Sequence, residues 1–194
     1  MKTQNSDLLR QAREALSGRW VIAIAGMILI LLVSGLVQVI PRIGPLLTIV
    51  ISGPIAYGIA KFSLSIARQA DVRIEYLFDG FQDFGRTLVT YLLMVVYILL
   101  FLLLLIVPGI IRAISYSMTF YILNDDDEIK PSEALELSRE MMDGYKLQYF
   151  YLMLIFFGLG ILCIFTLGIG FFFLMPFAQV TVARFYQHVK MNYE

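Results

Sequence analysis

One arginine, Arg112, lies in a stretch, residues 92–123, that is otherwise largely apolar. A guanidinium group is a permanent cation with several hydrogen-bond donors, so it can bind a phosphate or another anion. The polar groups predicted to share such a site are Tyr116 and Tyr121 in the same stretch and Gln179 near the end of the chain. We therefore treat these four residues as a candidate site for an anionic lipid headgroup or another anion.

Arg112 also has a second interpretation. Pro108 and Gly109 predict a turn between two apolar runs, which places Arg112 three residues past the turn and about 5 Å deep at the rise of a helix. A long side chain can reach the outer headgroups from that depth. Arg112 therefore either extends to the outer interface or faces the interior and captures an anion from the outer leaflet.

The remaining polar residues offer little catalytic chemistry. His188 is the only histidine, and Ser52, Ser115 and Ser117 have no nearby base, so neither a zinc cluster nor an activated nucleophile can be assembled. The acidic run at 124–133 lacks the spacing of a calcium loop. We interpret it as a solvated lead-in to a helix, with divalent-ion binding as the alternative. The sequence predicts no enzyme, no metal and no cofactor.

Long apolar runs must position these residues. The chain is 59% hydrophobic and 15% charged, with a mean hydropathy of +0.79, whereas soluble domains are about 45 to 50% apolar and about 25% charged. Most of its runs approach the roughly 20 residues that a helix needs to cross a bilayer, and backbone amides in lipid must be paired within helices or barrels. The sequence predicts an all-α membrane protein with six transmembrane helices, at 20–40, 44–66, 87–107, 109–123, 148–167 and 169–186.

The predicted loops differ in basic residues. All lysines and arginines except Arg42 and Arg112 lie on the side that holds both termini, and so do all 15 acidic residues. Short loops rich in Lys and Arg stay in the cytoplasm, which predicts that both termini are cytoplasmic. No basic cluster suggests a nucleic-acid partner.

A threefold repeat organises the predicted spans. Three cytoplasmic segments carry apolar residues at spacings typical of amphipathic helices, and each ends in a glycine beside or near a basic residue. Each segment precedes a pair of apolar runs, so we predict a single membrane domain, 1–194, of three hairpin units at about 6–67, 73–123 and 131–190. The apolar face predicted for the middle segment consists of Ile74, Leu77, Phe78, Phe81 and Phe84.

Small residues recur at helical spacing in the second apolar run. They are Ser52, Ala56 and Ala60. Small side chains let the backbones of neighbouring membrane helices approach closely. We therefore predict that this stripe is a helix-packing face rather than a path for a substrate.

Several short motifs in the second half of the chain identify a family. One of them contains Ser138-Arg139, in a predicted helix. The motifs lie at 108–111, 116–118, 121–123, 134–142, 144, 167–170 and 176–186. With a looser "AREALSGRW" near the N-terminus, the chain resembles a bacterial family of multi-span membrane proteins of unknown function, DUF975. That family is similar to the membrane portions of some glycerophosphodiester phosphodiesterases, which implies a lipid connection and supplies no catalytic residue.

These observations lead to two functional expectations. We expect a non-enzymatic protein of the bacterial inner membrane that binds or moves a lipid or amphipathic solute between its repeat units. The alternative is an interaction protein whose cytoplasmic amphipathic helices recruit a protein partner in envelope stress or immunity. Membrane lipids are the expected partners in the first case and a cytoplasmic protein in the second. The sequence leaves the oligomeric state open.

Overall fold

The computed structural model of the chain describes residues 4–41 and 43–193, and the regular structure in them is entirely helical. Arg42, predicted on the outer side, lies outside the described residues. A 3-10 helix covers Ile74–Phe81. The α-helices are α1 (Asn5–Leu16), α2 (Trp20–Gln38), α3 (Gly44–Ala67), α4 (Phe84–Leu104), α5 (Ile106–Ser115), α6 (Thr119–Asp125), α7 (Pro131–Met141), α8 (Lys146–Phe165) and α9 (Gly170–Tyr193).

Five segments of the described chain are long and apolar enough to cross a membrane. They are α2, α3, α4, the stretch Ile106–Asp125 that combines α5 with α6, and α8. The prediction of a helical, membrane-embedded protein is confirmed at this level. The sixth predicted span lies in α9. This helix is long enough to cross a membrane but is more polar than the five candidate spans, since its second half carries Arg184 and Lys190.

Helix α3 lies at the centre of the bundle. It packs against α2, α4, α6, α9 and the 3-10 helix, and more than half of its most apolar stretch is buried. The apolar helices α4 and α8 are instead mostly exposed, and Leu103 near the end of α4 is 89% exposed. Exposed apolar helices around a buried one are typical of a bundle whose outer helices face lipid.

The middle one of the three segments predicted to be cytoplasmic differs in form from an amphipathic α-helix. It is a 3-10 helix that ends at Phe81, and Phe84 begins α4. This 3-10 helix packs closely on α3. A Cβ atom on Gly58 would lie 2.0 Å from the carbonyl oxygen of Leu77, and one on Gly80 would lie 2.2 Å from that of Pro54. Two glycines therefore allow backbone-to-backbone contact between the 3-10 helix and α3.

The first and third of these predicted segments are α-helices with a buried apolar side. In α1 that side packs against α9 and α3, and in α7 it packs against α6 and α4. Gly18 and Gly144, which follow α1 and α7, have φ angles of 76° and 77°, the left-handed conformation that glycine adopts easily. The buried residues are Leu8, Ala12, Ala15 and Leu16 in α1 and Ala134, Leu135, Ser138 and Met141 in α7.

The turn between α4 and α5 lies at Leu105, so the prediction of a turn at Pro108 and Gly109 is wrong. Leu105 is extended, with φ −162° and ψ 145°, and α5 begins at Ile106. Proline is tolerated in the first turn of a helix because its missing N–H has no partner there. Arg112 is consequently seven residues past the turn, about 10 Å along the helix.

An ion cluster joins α3, α6 and α9 at the end of the second hairpin. Asp125 accepts hydrogen bonds from Arg68 at 2.7 Å, from Lys190 at 2.7 Å and from the hydroxyl of Tyr186 at 3.0 Å. Its side chain is only 8% exposed. Because these helices come from the three predicted repeat units, this carboxylate ties the units together at one end of the bundle.

Candidate functional site

A cavity of about 530 Å³ opens between the α4–α5 hairpin and the connection from α7 to α8. We call it the basic cavity, because three basic residues contribute to its wall. Its apolar side consists of Phe101, Pro108 and Ile111, and Ser115 lies at the end of α5. Its charged residues are Arg112, Arg139, Lys146, Glu140 and Asp143.

Arg112 is the cation of this cavity that has no carboxylate partner within the described residues. Its guanidinium carbon lies 4.2 Å from the centre of the Phe101 ring, a cation–π contact. The nitrogen atoms of a guanidinium stacked on a ring stay able to donate hydrogen bonds in the ring's plane. Arg112 is therefore held in place by an aromatic ring and keeps its donors for a ligand.

Each of the other charged groups of the cavity has a partner in the described chain. Lys146 donates to Asp143 at 3.1 Å, and Arg139 donates to Glu136 at 3.4 Å. Glu140 accepts a hydrogen bond of 3.0 Å from the hydroxyl of Tyr193. By formal charge the lining has three cations and two anions, and Glu136, the partner of Arg139, lies outside it. Arg112 is therefore the group of this cavity that is available to an anionic ligand.

The tight α4–α5 hairpin places Arg112 beside Phe101. A Cβ atom on Gly109 would lie 2.8 Å from the Cα atom of Leu102, so only glycine permits the two helices to approach this closely. Gly109 lies within α5 and not in the turn, so glycine is needed here for helix packing. Close packing of the hairpin fixes the depth of Arg112 in the cavity.

Ser138 of α7 bridges the break between α5 and α6. Its hydroxyl donates to the carbonyl of Ser115 at 2.8 Å and accepts from the backbone N–H of Met118 at 3.2 Å. Backbone groups released by a helix break within a membrane protein need partners from neighbouring elements. Ser138 is fully buried and supplies both partners with one hydroxyl. This contact fixes α7, which ends just before Met142 and Asp143, against the wall of the basic cavity.

The four residues of the predicted anion site are divided between different parts of the fold. Arg112 lines the basic cavity, whereas Tyr121 and Gln179 line a second cavity. Tyr116 is buried, with its ring centre 6.1 Å from that of Tyr97. Only Arg112 among the four is therefore placed with other cations.

The second cavity, about 410 Å³, lies between α3, α6, α8 and α9, and we call it the central cavity. Ala56 and Ala60 line it, so these two small residues of α3 face a cavity, whereas Gly53 and Gly58 make the close backbone contacts. Tyr121 stacks on Tyr186 with ring centres 5.3 Å apart. The lining residues include Ala56, Ile59, Ala60, Ser117, Phe120, Tyr121, Tyr149, Met153, Phe156 and Gln179.

The serines of the membrane helices bond to their own helices. Ser52 donates to Thr48 at 2.6 Å, Ser115 to Ile111 at 2.8 Å and Ser117 to Ile114 at 2.7 Å, each to a backbone carbonyl. Such bonds to a backbone carbonyl three or four residues earlier are common for serines in membrane helices. Among the described residues no group of three or more His, Cys, Asp or Glu side chains is arranged to hold a metal ion.

The acidic run before α7 has two structural roles. Asp125 forms the ion cluster described above. Asp126 accepts hydrogen bonds from the backbone N–H groups of Glu128 at 2.9 Å and Ile129 at 3.1 Å, which shapes the loop before α7. These contacts agree with its interpretation as a lead-in to a helix.

Sequence reasoning did not identify Arg139, Lys146 or Ser138 as parts of a site. Their predicted positions, in a cytoplasmic helix and loop, gave no sign that they contact the hairpin that carries Arg112. A signal was present for two of them, since Ser138-Arg139 is one of the motifs that carry the family resemblance.

Comparison with known proteins identifies the family of the chain. The family described as "Protein of unknown function (DUF975)" matches residues 1–115 and, in an overlapping second segment, residues 98–193. No curated protein and no solved structure matches the chain. The two segments together span nearly all of the sequence, and the chain belongs to the DUF975 family.

Proposed function

We propose that this chain is a non-enzymatic integral membrane protein that binds the headgroup of an anionic lipid in the basic cavity. The observation that carries this proposal is the position of Arg112, which lies over Phe101, shares a cavity with Arg139 and Lys146, and has no carboxylate partner in the described residues. The resemblance to membrane portions of glycerophosphodiester phosphodiesterases is a further reason to propose a lipid.

The lining of the cavity suits a phospholipid. Arginine binds phosphate through parallel hydrogen bonds, and lysine adds a point charge. The apolar wall of Phe101, Pro108 and Ile111 lies beside these cations and could contact the glycerol and the first part of an acyl chain. A volume of about 530 Å³ falls within the range of about 300 to 1,000 Å³ typical of small-ligand sites.

We further propose the full architecture that the sequence indicates, with six spans in three hairpin units and both termini in the cytoplasm of a bacterial cell. The apolar first half of α9 supplies the sixth span. In this arrangement Arg139 and Lys146 belong to a cytoplasmic connection, so a headgroup that they share with Arg112 comes from the inner leaflet. This replaces the outer-leaflet ligand that the sequence suggests for Arg112.

Native mass spectrometry of Arg112→Gln with phosphatidylglycerol tests this proposal. The substitution keeps the size and polarity of the side chain and removes its charge. Charge-assisted hydrogen bonds are worth about 1.5 to 3 kcal/mol, so we expect the retained lipid to fall about tenfold or more. Retention of the zwitterionic lipid phosphatidylethanolamine should change less.

The matched control is Arg10→Gln. Arg10 is exposed on α1 and pairs with Asp7 of the same helix at 3.2 Å, so its loss should leave lipid retention unchanged. Retention of phosphatidylglycerol by folded Arg112→Gln at the level of the unmodified chain would overturn the proposal.

A further inference from the structure

The central cavity is a second, separate feature between the predicted repeat units. Its walls come from α3 of the first unit, α6 of the second, and α8 and α9 of the third. Cavities of about 400 Å³ between the helices of a bundle are common places for a ligand. The charges that characterise the basic cavity are missing here, since none of the residues that line it in the described chain is acidic, basic or histidine.

The polar groups of this cavity are few and uncharged. They are the hydroxyls of Ser117, Tyr121 and Tyr149 and the side-chain amide of Gln179. The hydroxyl of Ser117 donates to the carbonyl of Ile114 at 2.7 Å. Gln179 differs from it, because its amide has no hydrogen-bond partner among residues 4–41 and 43–193.

We infer that the central cavity binds an uncharged amphiphile, a molecule with one apolar chain and a hydroxyl or ester group. An amide offers two donors and one acceptor, so Gln179 can bond both a hydroxyl and a carbonyl oxygen of such a ligand. Ile59, Phe120, Met153 and Phe156 provide the apolar wall for the chain. A carboxylate or phosphate would find no counterion and is excluded by the cost of burying an unpaired charge.

The small side chains of α3 make room for this ligand. Ala60 is 4% exposed and Ala56 is half-buried, and both line the cavity. Replacing Ala60 by leucine would place three more carbon atoms in the cavity. The filled cavity would exclude an acyl chain and leave the basic cavity intact, so this site and the proposed anion site can be tested independently.

The test uses a monoacylglycerol with a photoactivatable diazirine in its chain, added to the purified protein in nanodiscs. Peptide mass spectrometry then locates the crosslinks. We expect crosslinks on residues of the central cavity, competed by unlabelled monoacylglycerol and not by the corresponding fatty acid. Ala60→Leu should lower this crosslinking at least about tenfold by filling the space, and Ala25→Leu, on the exposed side of α2, should not change it.

A second variant does not require the fold to accept a larger side chain. Gln179→Leu keeps the approximate volume and removes the amide, so it should lower monoacylglycerol crosslinking about tenfold through loss of hydrogen bonds. The inference is overturned if folded Gln179→Leu crosslinks like the unmodified chain, or if the fatty acid competes as well as the monoacylglycerol. Neither result bears on the binding of phosphatidylglycerol by Arg112.

Discussion

At the scale of single residues, one serine hydroxyl holds the helix break beside the basic cavity. Ser138 bonds to both the Ser115 carbonyl and the Met118 N–H, and it is fully buried. A hydroxyl can do this because it is at once a donor and an acceptor. No other side chain in the described residues is bonded to either of these two backbone groups.

Replacing Ser138 by alanine should therefore destabilise the protein. The change leaves one buried N–H and one buried C=O without partners, and buried unsatisfied groups cost about 1 to 3 kcal/mol each. We expect an overall loss of about 2 kcal/mol, measured as a lower midpoint of unfolding in detergent. Ser132→Ala removes the same atom from an exposed site on the same helix and is the control. Equal midpoints for the two variants would contradict the role given to Ser138.

The residue types singled out Arg112 but did not indicate which residues would surround it. Arg112 stands out in an apolar run, and in the fold it lines a cavity with Arg139 and Lys146. Its partners could not be predicted, because Arg139 and Lys146 reach it only through tertiary packing of α7 against the hairpin. The turn predicted at Pro108 and Gly109 was wrong for a different reason. Both residues favour turns, but proline also suits a helix start and glycine also suits close helix contact.

At the scale of elements, the contact between α3 and the 3-10 helix depends on backbone proximity. Gly58 and Gly80 face carbonyl groups of the opposing element at distances that no Cβ atom could occupy. The sequence placed small residues in α3 but could not show which of them meet a backbone. The helical stripe of Ala56 and Ala60 faces the central cavity, and the glycines make the contact.

We predict that Gly58→Ala destabilises the protein, whereas Gly35→Ala does not. The new methyl group at residue 58 would lie 2.0 Å from the Leu77 oxygen and must displace backbone, at an expected cost of about 1 to 3 kcal/mol or more. Nothing lies within 4 Å of the corresponding position at Gly35, within α2, so alanine there should stabilise by about 0.5 to 1 kcal/mol. Thermal unfolding measures both. A stabilising Gly58→Ala would contradict the close packing.

The burial of α1 also limits how a protein partner could bind. Leu8, Ala12 and Leu16 already pack inside the chain, so deleting the first 17 residues would disturb the fold as well as any interaction. A partner would have to use the charged side that carries Arg10 and Glu14. Substitutions there are the sharper test of the recruitment alternative.

At the scale of the whole molecule, composition and long apolar runs predicted a helical membrane protein, and five candidate spans in the described chain support that prediction. Hydrophobic runs define spans well because a bilayer requires length and apolarity. They do not reveal breaks within a span, such as the one between α5 and α6, because a serine from another helix stabilises it. They also do not reveal cavities, which arise from how the units pack.

The central claim is that Arg112 lies with Arg139 and Lys146 around one lipid headgroup. Electron cryomicroscopy of the protein in nanodiscs containing phosphatidylglycerol, with a bound antibody fragment to add mass, tests it most directly. We predict density for a phosphate group within hydrogen-bond distance of the Arg112 guanidinium, on the side of the membrane that holds both termini. An empty basic cavity, or Arg112 on the opposite face of the membrane from Arg139 and Lys146, would contradict it.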